Sequence, residues 1–375
     1  MSKIGGMQRV GIDLLKQLQA HPEVEVETVI LRSEHEFEVF AFPPFLFRAY
    51  KAARSKMKRG EVDAILFSAM PSTVVASLLA GASRKTRVPL AAISHGHDVI
   101  AASSVYQWLV ARVLARLDAM LPVSQATGQQ CVRRGLPEDR LFVTPNGIER
   151  DRFGEIFPGF FSSRSDRRRV LADAFPELAG KIGPDDLLLC SVGRQVKRKG
   201  HEWFIRHVMP QLKSNVHLVL GGTGPESDVI AQAMANTGLA DRVHMLGLVA
   251  EEKLASLYCG GDLFVMPNIP VDGDMEGFGV VMLEAGLCGM PSIASRLEGI
   301  QDVITEGING HCVDALDANG FADIINLYAE TPGSLDKMSE TARSHTIGKF
   351  SWPAVCEQIV TTLQTVIRRK QPITD

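Results

Sequence analysis

The sequence predicts an α/β protein built from two doubly wound parallel-sheet domains, and three observations carry that prediction. A chain of 375 residues exceeds the roughly 250–300 residues that one core usually serves. Short apolar, β-branched runs alternate with helix-length segments from end to end, the pattern of parallel sheets covered on both faces. Glycine-rich turns follow several of those runs, where doubly wound sheets hold their ligands. Apolar content of 45% and charged content of 22% are those of an ordinary globular protein.

In the first half the predicted strands are 24–31 (VEVETVIL), 62–67 (VDAILF), 88–93 (VPLAAI), 118–123 (DAMLPV) and 141–144 (LFVT). The second half gives 187–192 (LLLCSV), 216–222 (VHLVLGG), 243–247 (VHMLG), 262–267 (DLFVMP) and 291–295 (PSIAS). The polar, basic stretch PGFFSSRSDRRRVLADAF reads as the end of the first domain, which places the domains at 1–180 and 181–349. A buried strand normally precedes the first glycine loop of such a domain, yet IGGMQ arrives at residue 4. The expectation is that the natural start lies upstream.

Charge is uneven. Residues 1–180 hold 24 Lys and Arg against 19 Asp and Glu, and residues 181–375 hold 16 against 24. The densest basic stretch, RAYKAARSKMKRG at 48–60, is either a solvated helix face or a surface for anionic lipid. Six scattered cysteines without a CxxC pair argue against a zinc site or a disulfide framework and fit a reducing compartment. No stretch is long and apolar enough to cross a membrane as a helix.

Three motifs carry chemistry. CSVGRQVKRKG at 190–200 sets Arg194, Lys197, Arg198 and Lys199 beside Gly193 and Gly200, which suits either a diphosphate clamp or a solvated basic turn. GDMEGFGVVMLEAG at 273–286 places glycines before a helix, where free amides face the positive end of the dipole. A helix starting near Phe278 would carry Glu284 about 9 Å further along, one nucleoside beyond a phosphate held at its start. Glu276 then meets one end of a nucleotide-linked ligand and Glu284 the ribose hydroxyls at the other; alternatively Glu284 bonds a neighbouring backbone amide. ISHGHDV at 93–99 ends a strand with His95, His97 and Asp98, groups able to hydrogen-bond a substrate hydroxyl or phosphate. The two histidines have no third ligand at motif spacing, so no metal is expected.

In this order the motifs IGGMQ, SHGHD, PNGIE, VGRQVKRKG, LGGTGPE, VHMLGLV, LYCGGDLFVMPN, EGFGVVMLE and SRLEGIQDVITEGINGHCV make the chain resemble the retaining glycosyltransferases of family 4 (glycosyl transferases group 1), which have the GT-B fold. The resemblance runs through nearly the whole chain. It implies two Rossmann-like domains facing a central cleft, an acceptor-binding first domain, a second domain for a nucleotide sugar, and a closing helix at 350–375 that returns to the first domain. It also implies a metal-independent hexosyltransferase that needs no cofactor beyond its UDP- or GDP-linked donor.

By the same resemblance Arg194 and Lys199 hold the diphosphate, with Gly193 beside them. Glu276 lies by the sugar, the amides of Gly277, Phe278 and Gly279 contact sugar and phosphate, and Glu284 takes the ribose. Leu248 and Val249 lie by the base, and Gly5 and Gly6 approach the donor phosphates. His95 lies near the reacting sugar, so His95, Glu276, Arg194 and Lys199 form the implied catalytic set, and His97 and Asp98 are left for the acceptor. The implied acceptor is a glycan or lipid-linked glycan of surface polysaccharide or glycolipid synthesis. The implied place is the cytoplasm, with peripheral attachment to the inner membrane face through the basic first domain, and nucleic acid is not expected as a partner. The alternatives are an epimerase or phosphorylase on the same scaffold, and a non-catalytic sugar-nucleotide-binding subunit.

Overall fold

The computed structural model describes residues 6–31, 41–153, 163–331 and 333–371. The chain divides into two compact units, Met1–Gly147 with Trp352–Asp375, and Ile148–Ser351.

In the first unit three short strands, β1 (Ile65–Phe67), β2 (Leu90–Ser94) and β3 (Ala119–Pro122), form a parallel sheet in that order. Every residue of β2 and β3 is buried, as strands covered on both faces must be. Leu79, Leu90, Leu114, Leu117 and Met120 make the core between sheet and helices. The last helix, Trp352–Lys370, packs on this unit, and its Lys370 ammonium reaches Asp118, whose carboxylate also accepts the Leu90 amide.

In the second unit six strands pair in parallel: β4 (Leu187–Val192), β5 (Val216–Gly221), β6 (Val243–Gly247), β7 (Leu263–Met266), β8 (Ser292–Ser295) and β9 (Gly310–Val313). Their spatial order is β6-β5-β4-β7-β8-β9. The chain winds outward from β4 through β5 to β6, then returns to β7 on the other side. The crevice at the carboxyl ends of β4 and β7 is therefore the topological switch point, where doubly wound sheets bind ligands. Phe204, Phe264, Phe321, Leu218 and Ile293 are fully buried in this unit.

Four local expectations need correction. Residues 24–31 are not a strand: a strand needs a neighbour's ladder, and here Glu25 and Glu27 face solvent while Glu27 pairs with Lys56. At 141–144 only a bridge from Leu141 to Met120 forms. The ninth strand, β9, pairs with β8 although its four residues include Gly310 and His311, too few and too mixed to announce themselves. The basic stretch at 158–175 does not close the first domain. Its described part, the helix Arg164–Ala174, packs in the second unit because Arg164, Arg167 and Arg168 all converge on the buried carboxylate of Asp262, just ahead of β7. The division consequently falls at Gly147, not near 180.

Histidines give the second unit an acid limit. His217 on β5 and His244 on β6 stack with ring centroids 5.6 Å apart and Nδ1 to Nε2 at 3.3 Å, both buried. Burial, and then the neighbouring His217, push His244 down to about 4; burial and the Lys199 charge push His201 down to about 3. The unfolded chain takes up these protons below about 6.5, while the folded chain refuses them until lower pH. The contribution of these histidines to stability is thus fully present above about pH 7 and is lost as pH falls from about 6.5 towards 4. The slope reaches about 1.4 kcal/mol per pH unit for each such histidine. Urea unfolding at pH 7.5, 6 and 5 checks this, and His244→Asn is expected to flatten the dependence. A profile flat across that range would contradict it.

Candidate functional site

The loop after β4 and the loop after β7 are locked together. Gly200 has φ of +67°, and a Cβ there would stand 2.0 Å from the Pro267 carbonyl oxygen, so only glycine lets the two loops touch. The Ile269 amide donates to the Arg198 carbonyl at 2.9 Å across the same contact. This approach delivers Lys199 from the β4 loop to Glu276 of the β7 loop, Nζ to Oε2 at 2.7 Å. Arg198 flanks the pair, its guanidinium 3.4 Å from Glu276 and 3.3 Å from Asp274. Burial by itself would raise the pKa of Glu276, but Lys199 and Arg198 outweigh it and hold the carboxyl below its ordinary value.

Glu276 is also clasped through its backbone. Its N–H donates to the Glu298 carboxylate at 2.5 Å, and its carbonyl accepts from the Gly299 amide at 3.2 Å. Glu298 does this with φ of +50°, a left-handed conformation that costs a non-glycine residue energy. Burial and the nearby Glu276 charge raise its pKa. Three carboxylates and two cations therefore share one edge of the sheet.

The helix beyond begins at Val280, two residues later than expected, with Gly279 as its cap at φ of +90°. Gly277, Phe278 and Gly279 form the approach to its positive end. Glu284, four residues into this apolar helix, is buried. Its carboxylate is held by two side chains and not by the neighbouring backbone amide that was the alternative: Arg152 Nη2 lies 2.6 Å from Oε1, and the Tyr258 hydroxyl donates to Oε2 at 2.7 Å. Burial and the Glu284 charge raise Tyr258 far above the usual phenol range.

Around the same edge, Gly193 follows β4 and bonds back to β5 through its amide. Arg194 is exposed. Leu248, just after β6, is 74% exposed, and Val249 packs towards Gly221 at the end of β5. Buried side-chain polar atoms without a hydrogen-bond partner gather here too: Gln195 Nε2 beyond β4 and Ser295 Oγ at the end of β8. Such atoms are rare in native structures and call for a polar partner.

In the first unit His95 follows β2. Its ring Nε2 lies 3.0 Å from the Ser68 carbonyl, which can only accept, so Nε2 carries the proton and Nδ1 is the acceptor. Asp98 is buried with both oxygens engaged, by the amides of His95 at 2.8 Å and Met70 at 3.2 Å. That makes it a brace for the His95 loop. His97 is exposed on the short helix His97–Ile100. Gly6 opens the helix Gly6–Ala20, and Gly5 lies outside the described residues. Among the described residues no three His, Cys, Asp or Glu side chains form a metal-holding group.

Sequence reading missed Arg152, Tyr258 and Glu298. Each stands inside or just beyond a motif already singled out (PNGIE, LYCGGDLFVMPN, SRLEGIQDVI), but nothing local marks which of its residues turns towards a partner far along the chain.

Residues 4–152 match the family described as Glycosyltransferase Family 4, and residues 186–330 match that described as Glycosyl transferases group 1. A GDP-mannose-dependent alpha-(1-6)-phosphatidylinositol monomannoside mannosyltransferase of Mycolicibacterium smegmatis is 25% identical over 326 residues, 84% of this chain and 81% of that one. A D-inositol 3-phosphate glycosyltransferase of Geodermatophilus obscurus is 30% identical over 259 residues, 66% of this chain and 53% of the relative. The solved structure of Anabaena Alr3699/HepE in complex with UDP matches with a TM-score of 0.72 at 22% identity, covering 97% of this chain and 98% of that one, a likeness of fold. With both halves matched and a switch point furnished as described, the chain is a glycosyltransferase of family 4 with the GT-B fold.

Proposed function

We propose that the protein transfers a hexose from a UDP- or GDP-linked donor to a hydroxyl of a lipid-linked or surface glycan, with retention of anomeric configuration and without a metal ion. The observation that carries this reading is the pair of buried Lys199 with half-buried Glu276 at the switch point, followed by a helix start and then by the buried carboxylate of Glu284. Breaking the bond between anomeric carbon and phosphate leaves negative charge on the diphosphate. Lys199, Arg194 and the amides of Gly277 to Gly279 stabilise that charge as it develops, the differential binding that lowers a barrier. Cations of the chain thereby do the work a divalent ion would otherwise do.

Glu276, tied to Lys199 and Arg198, suits orienting sugar hydroxyls better than attacking carbon. The acceptor hydroxyl then attacks from the face the diphosphate leaves, and its proton passes to the departing phosphate oxygen. Leu248 and Val249 flank the base, and Glu284 receives the ribose hydroxyls. In the first unit His95 hydrogen-bonds a sugar hydroxyl through Nδ1. The relatives leave the donor base open, since one is named for GDP-mannose and the structural neighbour holds UDP.

The acceptor class rests on relatives named for phosphatidylinositol mannoside and, in Salmonella typhimurium, for colanic acid biosynthesis. The helix Phe42–Arg59 supports a membrane-proximal acceptor: Phe47, Arg48, Lys51, Arg54 and Lys58 are exposed along it, with Lys51 stacked on Phe47 and Arg54 on Tyr50. The test is protection against thermal unfolding by UDP, GDP and their hexose conjugates in chelator. One base series is expected to raise the transition of the wild type and not of Glu284→Ala. No protection by either series would overturn the donor-site reading.

A further inference from the structure

Glu284 is a buried carboxylate within an apolar helix, and what surrounds it decides what it can bind. An ionised carboxylate offers about four acceptor positions, two on each oxygen. Arg152 takes one on Oε1 at 2.6 Å and Tyr258 takes one on Oε2 at 2.7 Å. By this count one acceptor position on each oxygen remains, as many as two vicinal hydroxyls require.

The two partners are themselves fixed. Arg152 keeps only 14% of its side chain exposed and spends a second nitrogen on Glu251, Nη1 to Oε1 at 3.2 Å. The adjacent Phe153 packs its ring 5.8 Å from that of Tyr258, and Arg152 lies over Phe153 at 5.3 Å. The dipeptide Arg152–Phe153 thus holds both groups that hold Glu284. Tyr258 alone would hold the carboxylate by a single contact, and the guanidinium supplies the second, charge-assisted one that fixes its orientation.

We infer that Arg152 is a positioning residue for the donor's ribose: it fixes the rotamer of Glu284 so that one lone pair on each oxygen meets the 2′- and 3′-hydroxyls. This rests on the reading of Glu284 as the ribose acceptor. A merely structural Arg152 would affect all ligands of the site alike, whereas a positioning Arg152 sets the discrimination between ribose and a sugar without those hydroxyls.

The experiment is calorimetric titration of the full chain with UDP and GDP and with their 2′,3′-dideoxy forms, on wild type, Arg152→Met, Arg152→Lys and Glu284→Gln. Each variant is first checked for a cooperative thermal transition. Loss of charge-assisted hydrogen bonds predicts that wild type prefers the ribose form by about 10- to 100-fold. Arg152→Met is expected to bring that ratio close to one with little change for the dideoxy form, and Arg152→Lys, which keeps the charge without the fork, to fall between. Equal weakening of both ligand forms in Arg152→Met, or an unchanged ratio, would overturn the assignment of Arg152 while leaving the ribose reading intact. An unchanged ratio in Glu284→Gln, or no binding by wild type, would overturn the ribose reading and the assignment together.

Discussion

Replacing Lys199 with alanine is expected to lower kcat by about 10²- to 10³-fold, the size of effect seen when one preorganised donor to a developing charge is removed. Lys199 is buried, held to its place by the contact of Gly200 with the Pro267 carbonyl, and 2.7 Å from Glu276. An ammonium in such a site is preorganised and poorly hydrated, so in the proposed role it would act on a departing diphosphate far more strongly than a surface lysine. The acceptor KM is expected to change little, because the charge appears only as the bond breaks. Lys199→Arg keeps the charge but must fit a planar fork into a space made for an ammonium, and intermediate activity is expected. The check is steady-state kinetics with variants shown to melt as the wild type does. A loss below about tenfold in Lys199→Ala would remove Lys199 from the role of leaving-group stabiliser.

The largest effect on stability is expected at Asp262, a buried carboxylate on which three arginines converge. Its carboxylate accepts from Arg164 at 3.1 Å, from Arg167 at 3.0 Å, from Arg168, and from the Leu188 amide at 2.8 Å. It fixes the helix Arg164–Ala174 and the start of β4 against the chain entering β7. Removing one member of a buried charge network leaves the others uncompensated, a loss of about 3–5 kcal/mol, so Asp262→Ala is expected to unfold the second unit at markedly lower urea. Asp262→Asn retains an acceptor for the Leu188 amide and is expected to cost less. A change under about 1 kcal/mol for Asp262→Ala would mean that the three guanidiniums are satisfied without it.

Asp262 also shows where the sequence was legible and where it was not. All five strands expected in the second half form, because each is a run of four to six residues whose apolar character is local, all but β6 of them almost wholly buried. The three arginines at 164–168 read as the end of the first domain because their common partner lies far along the chain. Net charge in a window says nothing of a buried counter-charge elsewhere. The same distinction runs through the site. The glycine loops at strand ends that carry Lys199 and Glu276 are marked in the sequence, whereas the pairing of those two residues, and Arg152 and Tyr258 around Glu284, are not, since only the fold brings the partners together. In the first unit β1 to β3 were visible, but 24–31 has the alternation of a strand without the neighbour that would make it one.

Transfer itself tests the account most directly. Labelled UDP- and GDP-hexoses are incubated with the protein in chelator, with glycolipid-bearing vesicles as acceptor source, and the anomeric proton of the product is read by NMR. The account predicts transfer from one donor series without added metal, with the donor's anomeric configuration kept and the rate strongly reduced in Lys199→Ala. A product of inverted configuration, or transfer that stops when divalent ions are chelated, would contradict it.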